Sequence, residues 1–226
     1  MSFLKDIIND LKLIRKKLPE EAKLEIPFFS KDEEYERKFL GFLFDDKHMT
    51  NWEWRWIGLK NKREYLHLMD ASCGMVCLKS ILMKIENKEH SVIKLMQESK
   101  NYGTYNFEEL DKGMFYEPFV LFIKDKFNLD SRIYQYLSLK RLKYELSLGN
   151  FIIASVHPYI SRPVINDKNT LKGGHLILIT AYSDKYKTIS IHNSDGILNL
   201  SDKNFTISYK MFFKYFAKRG IIVSSK

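Results

Sequence analysis

Cysteine is scarce in this chain: Cys73 and Cys77 are the only two in 226 residues. That excludes a disulfide-built scaffold, and in a reducing compartment two thiols spaced i and i+4 are not expected to bridge. No second Cys/His pair stands at zinc-site spacing, so no metal and no cofactor is implied. Long apolar runs are absent too. Nothing approaches the roughly 18 uninterrupted apolar residues of a membrane span. The opening MSFLKDIINDLKLIRKKLPEE mixes acids and bases where a signal peptide would carry a hydrophobic run. The expectation is a cytoplasmic protein that does not engage a membrane. Repeats, low-complexity tracts and linker-like stretches are likewise missing, which points to one domain with two lobes.

What is present in excess is positive charge, with a formal net charge of +9. The surplus is uneven: residues 1–40 carry nine basic and nine acidic side chains, whereas residues 201–226 carry six and one. No basic run or nucleic-acid motif accompanies it, which argues against a nucleic-acid partner. Either the excess reflects a Lys-, Asn- and Ile-rich composition, or it forms a docking surface for an acidic protein such as an acyl or peptidyl carrier.

Along the chain, Leu4, Ile7, Ile8, Leu11, Ile14 and Leu18 fall on one face of an amphipathic helix ended by Pro19. Trp52, Trp54 and Trp56 recur at period two, as on one face of a strand, either packed on the core or forming an aromatic wall. From Cys73, SCGMVCLKSILMKI reads as a buried helix. Further helices are expected near 91–99, 115–126 and 138–148. The period then changes: FIIASVH (151–157), GHLILITAY (174–182) and KTISIHN (187–193) are β-branched and strand-like. A last helix is expected near 208–218 with Ser208 as N-cap. Helices first and a strand meander second is the order of an α+β fold.

The chemistry centres on Cys73. A thiol becomes reactive when a helix N-terminus and a neighbouring imidazole favour its anion. Cys73 sits where DAS gives way to an apolar helix, and its own amide would be one oxyanion donor. Gly74 behind it would let a substrate carbonyl approach the backbone. Among six histidines, His175 follows Gly173 and Gly174 at the mouth of an apolar strand. The short turn after that strand makes a hairpin, which brings the end of the next strand, and hence Asn193, beside His175. Alternation turns His192 the other way. Asn193 could orient the ring as a third triad member does, with Asp195 in reserve.

SCGMVCLKSIL, a Gly-Gly-His strand and a strand ending in Asn together resemble the papain-like cysteine protease superfamily. The set is similar to the branch that trims double-glycine leaders, and also to the cysteine-protease-like amide synthase type met in closthioamide assembly. The likeness spans about residues 65–224. It implies a papain-like α+β fold, in which a helical lobe carrying the Cys helix packs on an antiparallel sheet lobe carrying His and Asn. On that reading, 1–226 is one domain: an N-terminal extension at 1–64 packed on the core, a helical lobe at 65–148 and a sheet lobe at 149–226. Relatives carry a Gln about six residues before the nucleophile. Here that position is His67, which could donate in its place, as could Asn61 or a backbone amide; His67 could equally be a plain strand residue.

Three functions follow from such a site. The first is transfer of an acyl group from a carrier-protein thioester to a small amine, giving an amide in natural-product biosynthesis. The second is peptide-bond hydrolysis. The third is a catalytically inactive binding module. The segment 159–174, with Tyr159, Arg162 and Asp167, is long enough to wall or cover the substrate.

Overall fold

The computed structural model describes residues 2–31, 68, 70–106, 112–161, 172–194 and 203–225. Its elements are α1 (Ser2–Leu11), β1 (Glu21–Lys23), α2 (Cys73–Glu86), α3 (Val92–Ser99), α4 (Tyr116–Phe127), β2 (Ser131–Tyr134) and α5 (Leu139–Ser147). After these come β3 (Phe151–Val156), β4 (His175–Ser183), β5 (Thr188–His192), β6 (Phe205–Ser208), α6 (Tyr209–Tyr215) and β7 (Phe216–Val223). Among the described residues no helix is long and apolar enough to cross a membrane.

The strands form an antiparallel sheet in the order β2-β7-β3-β4-β5-β6, with β1 added alongside the far end of β4. β-branched runs explain its centre: Ile152 and Ile153 of β3 pair with both β4 and β7, and Val156 pairs with Phe216 of β7 beyond a shift in register. Alternation then sends residues to two cores. On one face Ile153, Leu176, Leu178, Ile221 and Val223 pack against α2, α3 and α4. On the other, Ile152, Ile177, Ile179, Ile189 and Ile191 pack against α5 and α6. The fold is thus α+β, with the Cys helix packed on the antiparallel sheet that carries His175 and Asn193.

α2 is the best-anchored helix of that first layer. Its first ten residues, Cys73 to Leu82, are all buried. Each fully enclosed Leu, Ile or Met there contributes about 1.5–3 kcal/mol. That anchoring fixes where the helix begins, and so where Cys73 stands. Asn87 ends it in the left-handed conformation, with φ 52.

Three elements differ from the sequence pattern. The helix expected over 208–218 stops at Tyr215, because Phe216 turns into β7 and fills the second core. Strand β2 lies between two helices, where four residues gave too short a period to read. α1 ends at Leu11 and is docked by its polar side. Asp6, only 1% exposed, accepts hydrogen bonds from Arg132 and from the backbone N–H groups of Gln135 and Tyr136. Asp10 accepts from Arg141. Phe3, Leu4, Ile8 and Leu11 stand exposed. An apolar stripe ordinarily faces the core; here two carboxylates meeting two guanidinium groups set the rotation of the helix instead.

Candidate active site

Cys73 opens α2. The Ser72 carbonyl accepts from the N–H groups of Met75 and Val76 at 2.8 and 3.0 Å, closing the first turn behind it. The N–H groups ahead of that turn point out of the helix start and favour negative charge, as does the helix dipole. Cys73 keeps 8% exposure and lines an open cleft of about 240 Å³. His175 and Gly174 line the same cleft.

Gly74 does not serve the purpose expected of it. A Cβ there would lie 2.5 Å from the Met114 sulfur and 3.1 Å from a Leu176 methyl. The missing side chain makes room for Met114, which covers the backbone behind the thiol. Cys77, one turn on, is buried and points its thiol at the Leu176 carbonyl, 3.8 Å away. It ties the helix to β4 one residue after His175.

His175 begins β4 opposite Val156 of β3, and Gly173 and Gly174 before it adopt φ of +106 and +92. Side chains rarely take that conformation, so the glycines are what permit this entry into the strand. The β4–β5 register pairs Leu178 with His192. One residue further along β5, Asn193 lies diagonal to His175, within reach across the hairpin. The His175 Nε2 stands 2.7 Å from the Asn193 Oδ1. The Asn193 Nδ2 in turn donates to Ser161 Oγ at 2.6 Å.

With its NH₂ toward Ser161, the carboxamide presents Oδ1 to the imidazole. That pairing suits the tautomer with the proton on Nε2 and the lone pair on Nδ1. A neutral histidine in that tautomer can act as a base at Nδ1.

His192 takes the same tautomer with backbone partners. Its Nε2 donates to the Ile26 carbonyl at 2.9 Å, and its Nδ1 accepts from the Asn204 N–H at 3.0 Å. A proton added at Nδ1 would face that N–H. Burial, with a further push from Lys203, holds its pKa below the ordinary value.

No family model and no curated protein matches this chain. Among solved structures it is similar to xylellain, a cysteine protease from Xylella fastidiosa, at 14% identity and a TM-score of 0.47, over 92% of this chain and 87% of that one. A likeness so distant adds nothing to the geometry.

Of the other residues singled out from sequence, His67, Asn61, Asp195, Arg162, Asp167 and the three tryptophans lie outside the described residues. Tyr159 is described: it is exposed, its N–H donates to His157, and it does not line the cleft. Several cleft-lining residues carried no local signal in the sequence: Tyr116, Gln135, Ser155 and Arg219. Ser161 carried none either, since its partner is 32 positions away. Tyr116 is held above the ordinary tyrosine pKa chiefly by burial, and the nearby Cys73 sulfur pushes in the same direction.

Proposed function

We propose that this chain is a cysteine-dependent acyltransferase with Cys73 as nucleophile, His175 as general base and Asn193 as the residue that orients the imidazole. One observation carries the reading. Cys73, at the start of a helix, and His175, whose Nε2 is bound by Asn193, open on the same cleft. The donor is an acyl thioester on an acidic acyl or peptidyl carrier protein, and the acceptor is a small amine. The product is an amide of a natural-product pathway, as in amide synthases of the closthioamide type. Net positive charge supports an acidic donor, and Lys203, Lys210 and Lys218 stand exposed near the C-terminus.

In the first half-reaction the Cys73 proton passes to His175 Nδ1 and the thiolate adds to the thioester carbonyl. The backbone amide of Cys73 and the helix start favour the charge that develops on oxygen, a contribution commonly worth about 3 kcal/mol. The carrier C–S bond breaks, and the carrier sulfur takes the proton from the imidazolium. In the second half an amine adds to the Cys73 thioester and gives its proton to Nδ1. The Cys73 C–S bond then breaks, and the sulfur recovers that proton.

Peptide hydrolysis is a second reading, favoured by the openness of the cleft, since water would resolve the acyl-enzyme wherever it is admitted. Incubating the chain with an acyl-carrier thioester and measuring its intact mass tests the first half. The expected result is one acyl group on Cys73, absent in Cys73→Ala. Discharge to an amide upon adding an amine supports transfer. Discharge to the free acid at the same rate with or without amine would replace transfer by hydrolysis, and no acylation at all would end the proposal.

A further inference from the structure

One wall of the cleft is assembled from segments distant in sequence. Tyr116 comes from the start of α4, Ser155 from β3 and Arg219 from β7. Ser155 is 2% exposed and lies on the same strand face as Ile153, which packs in the core beneath the Cys helix. The Tyr116 phenol stands near the Ser155 hydroxyl and the Arg219 guanidinium, which work against burial in setting its pKa. The three line the same cleft as Cys73.

Two further facts show that the guanidinium is placed rather than merely present. A Cβ on Gly173 would lie 3.1 Å from an Arg219 nitrogen and 3.4 Å from Ser155 Oγ, so the glycine two positions before His175 leaves the space they occupy. Arg219 is exposed to solvent where it lines the cleft. Among the described residues no carboxylate forms an ion pair with it, although Glu117 lines the same cleft. Among the described residues, Lys112 lines the cleft as well. A planar guanidinium lining the cleft, with no described carboxylate paired to it, matches a substrate carboxylate.

We propose that Arg219, in the space that Gly173 leaves beside Ser155, selects acyl donors whose acyl group carries a carboxylate near the reacting carbonyl. The inference rests on Cys73 forming an acyl-enzyme, and holds whether an amine or water resolves it. Arg219 takes no part in bond making. It sets which acyl group is brought to the sulfur.

The test compares rates of Cys73 acylation by three synthetic thioesters. Glutaryl and pentanoyl thioesters of N-acetylcysteamine differ by the carboxylate. A pentanoyl thioester of phosphopantetheine places the anion on the leaving arm. The wild type is expected to prefer the glutaryl donor, and Arg219→Gln to lose roughly 10- to 10²-fold on it, the span of one or two charge-assisted hydrogen bonds. The same variant should change less than twofold on the pentanoyl donor, and Arg219→Lys should restore part of the loss. Alkylation of Cys73 by the neutral reagent iodoacetamide should be unchanged in both variants, which shows that the fold and nucleophile are intact.

Equal losses on the glutaryl and pentanoyl donors, or no wild-type preference, would overturn the role of Arg219 while leaving the acyl-enzyme in place. A loss confined to the phosphate-bearing donor would assign the guanidinium to the leaving arm and overturn it as stated. If none of the three acylates Cys73 in the wild type, the acyl-transfer reading fails, and this inference with it.

Discussion

Two histidines stand on adjoining strands of one hairpin, and the chain treats them oppositely. His192 is enclosed by backbone, with both ring nitrogens engaged by the groups of Ile26 and Asn204. His175 has Nε2 bound by a side chain and lies on a cleft that a thiol also lines. Both are buried, at 4% and 3% exposure, so burial does not distinguish them. The difference is in the partners. Backbone groups on both nitrogens hold the His192 ring in its neutral form as a brace, whereas on His175 the Nε2 partner is a side-chain carboxamide.

Removing each ring breaks the comparison most directly. His175→Ala should lower turnover by about 10⁴-fold or more. It should also slow iodoacetamide alkylation of Cys73 at pH 7 by about 30-fold, because an unassisted thiol is only a few per cent ionised there. Unchanged alkylation would remove His175 from its assigned role.

His192→Gln should do the reverse. Alkylation stays within about twofold of wild type, while stability falls by about 1–3 kcal/mol, measurable by urea unfolding. Its pH dependence follows from its lowered pKa. Between the folded pKa and the unfolded value of about 6.5, the unfolded chain holds more protons. The stability that the neutral ring provides is therefore complete above about 6.5 and is lost as pH falls through the folded pKa. The Gln variant should have a flatter acid limb; an identical limb would assign the titration to another group.

The smallest effect belongs to Ser161→Ala. It deletes one hydrogen bond to the Asn193 amide, worth about 1 kcal/mol, so kcat should fall about fivefold. A mobile carboxamide can turn its NH₂ toward the ring, and thiolate formation should weaken in step with turnover. If kcat is unchanged, the tautomer is held without Ser161.

The lesson about legibility is in the same residues. β3, β4 and β5 were readable because Ile and Val recur in runs that suit only a pleated, buried surface, and the hairpin register then placed Asn193 near His175. The buried run after Cys73 likewise announced α2. What was not readable depends on partners far along the chain. Ser161 meets Asn193 across 32 residues, and Tyr116, Ser155 and Arg219 come together only through the sheet order. Gly74 looked like room for a substrate, yet Met114 fills it, 40 positions away. α1 showed a clear apolar stripe, but Asp6 and Asp10 find Arg132 and Arg141, and a buried carboxylate left without its partners costs more than a few exposed leucines.

That latch has a reach beyond the helix it secures. The carboxylate of Asp6 holds the peptide N–H of Gln135, and Gln135 belongs to the rim of the cleft. The first turns of the chain therefore brace one edge of the cleft from behind. Whatever loosens that terminus will be felt by a substrate as a change in the shape of its container.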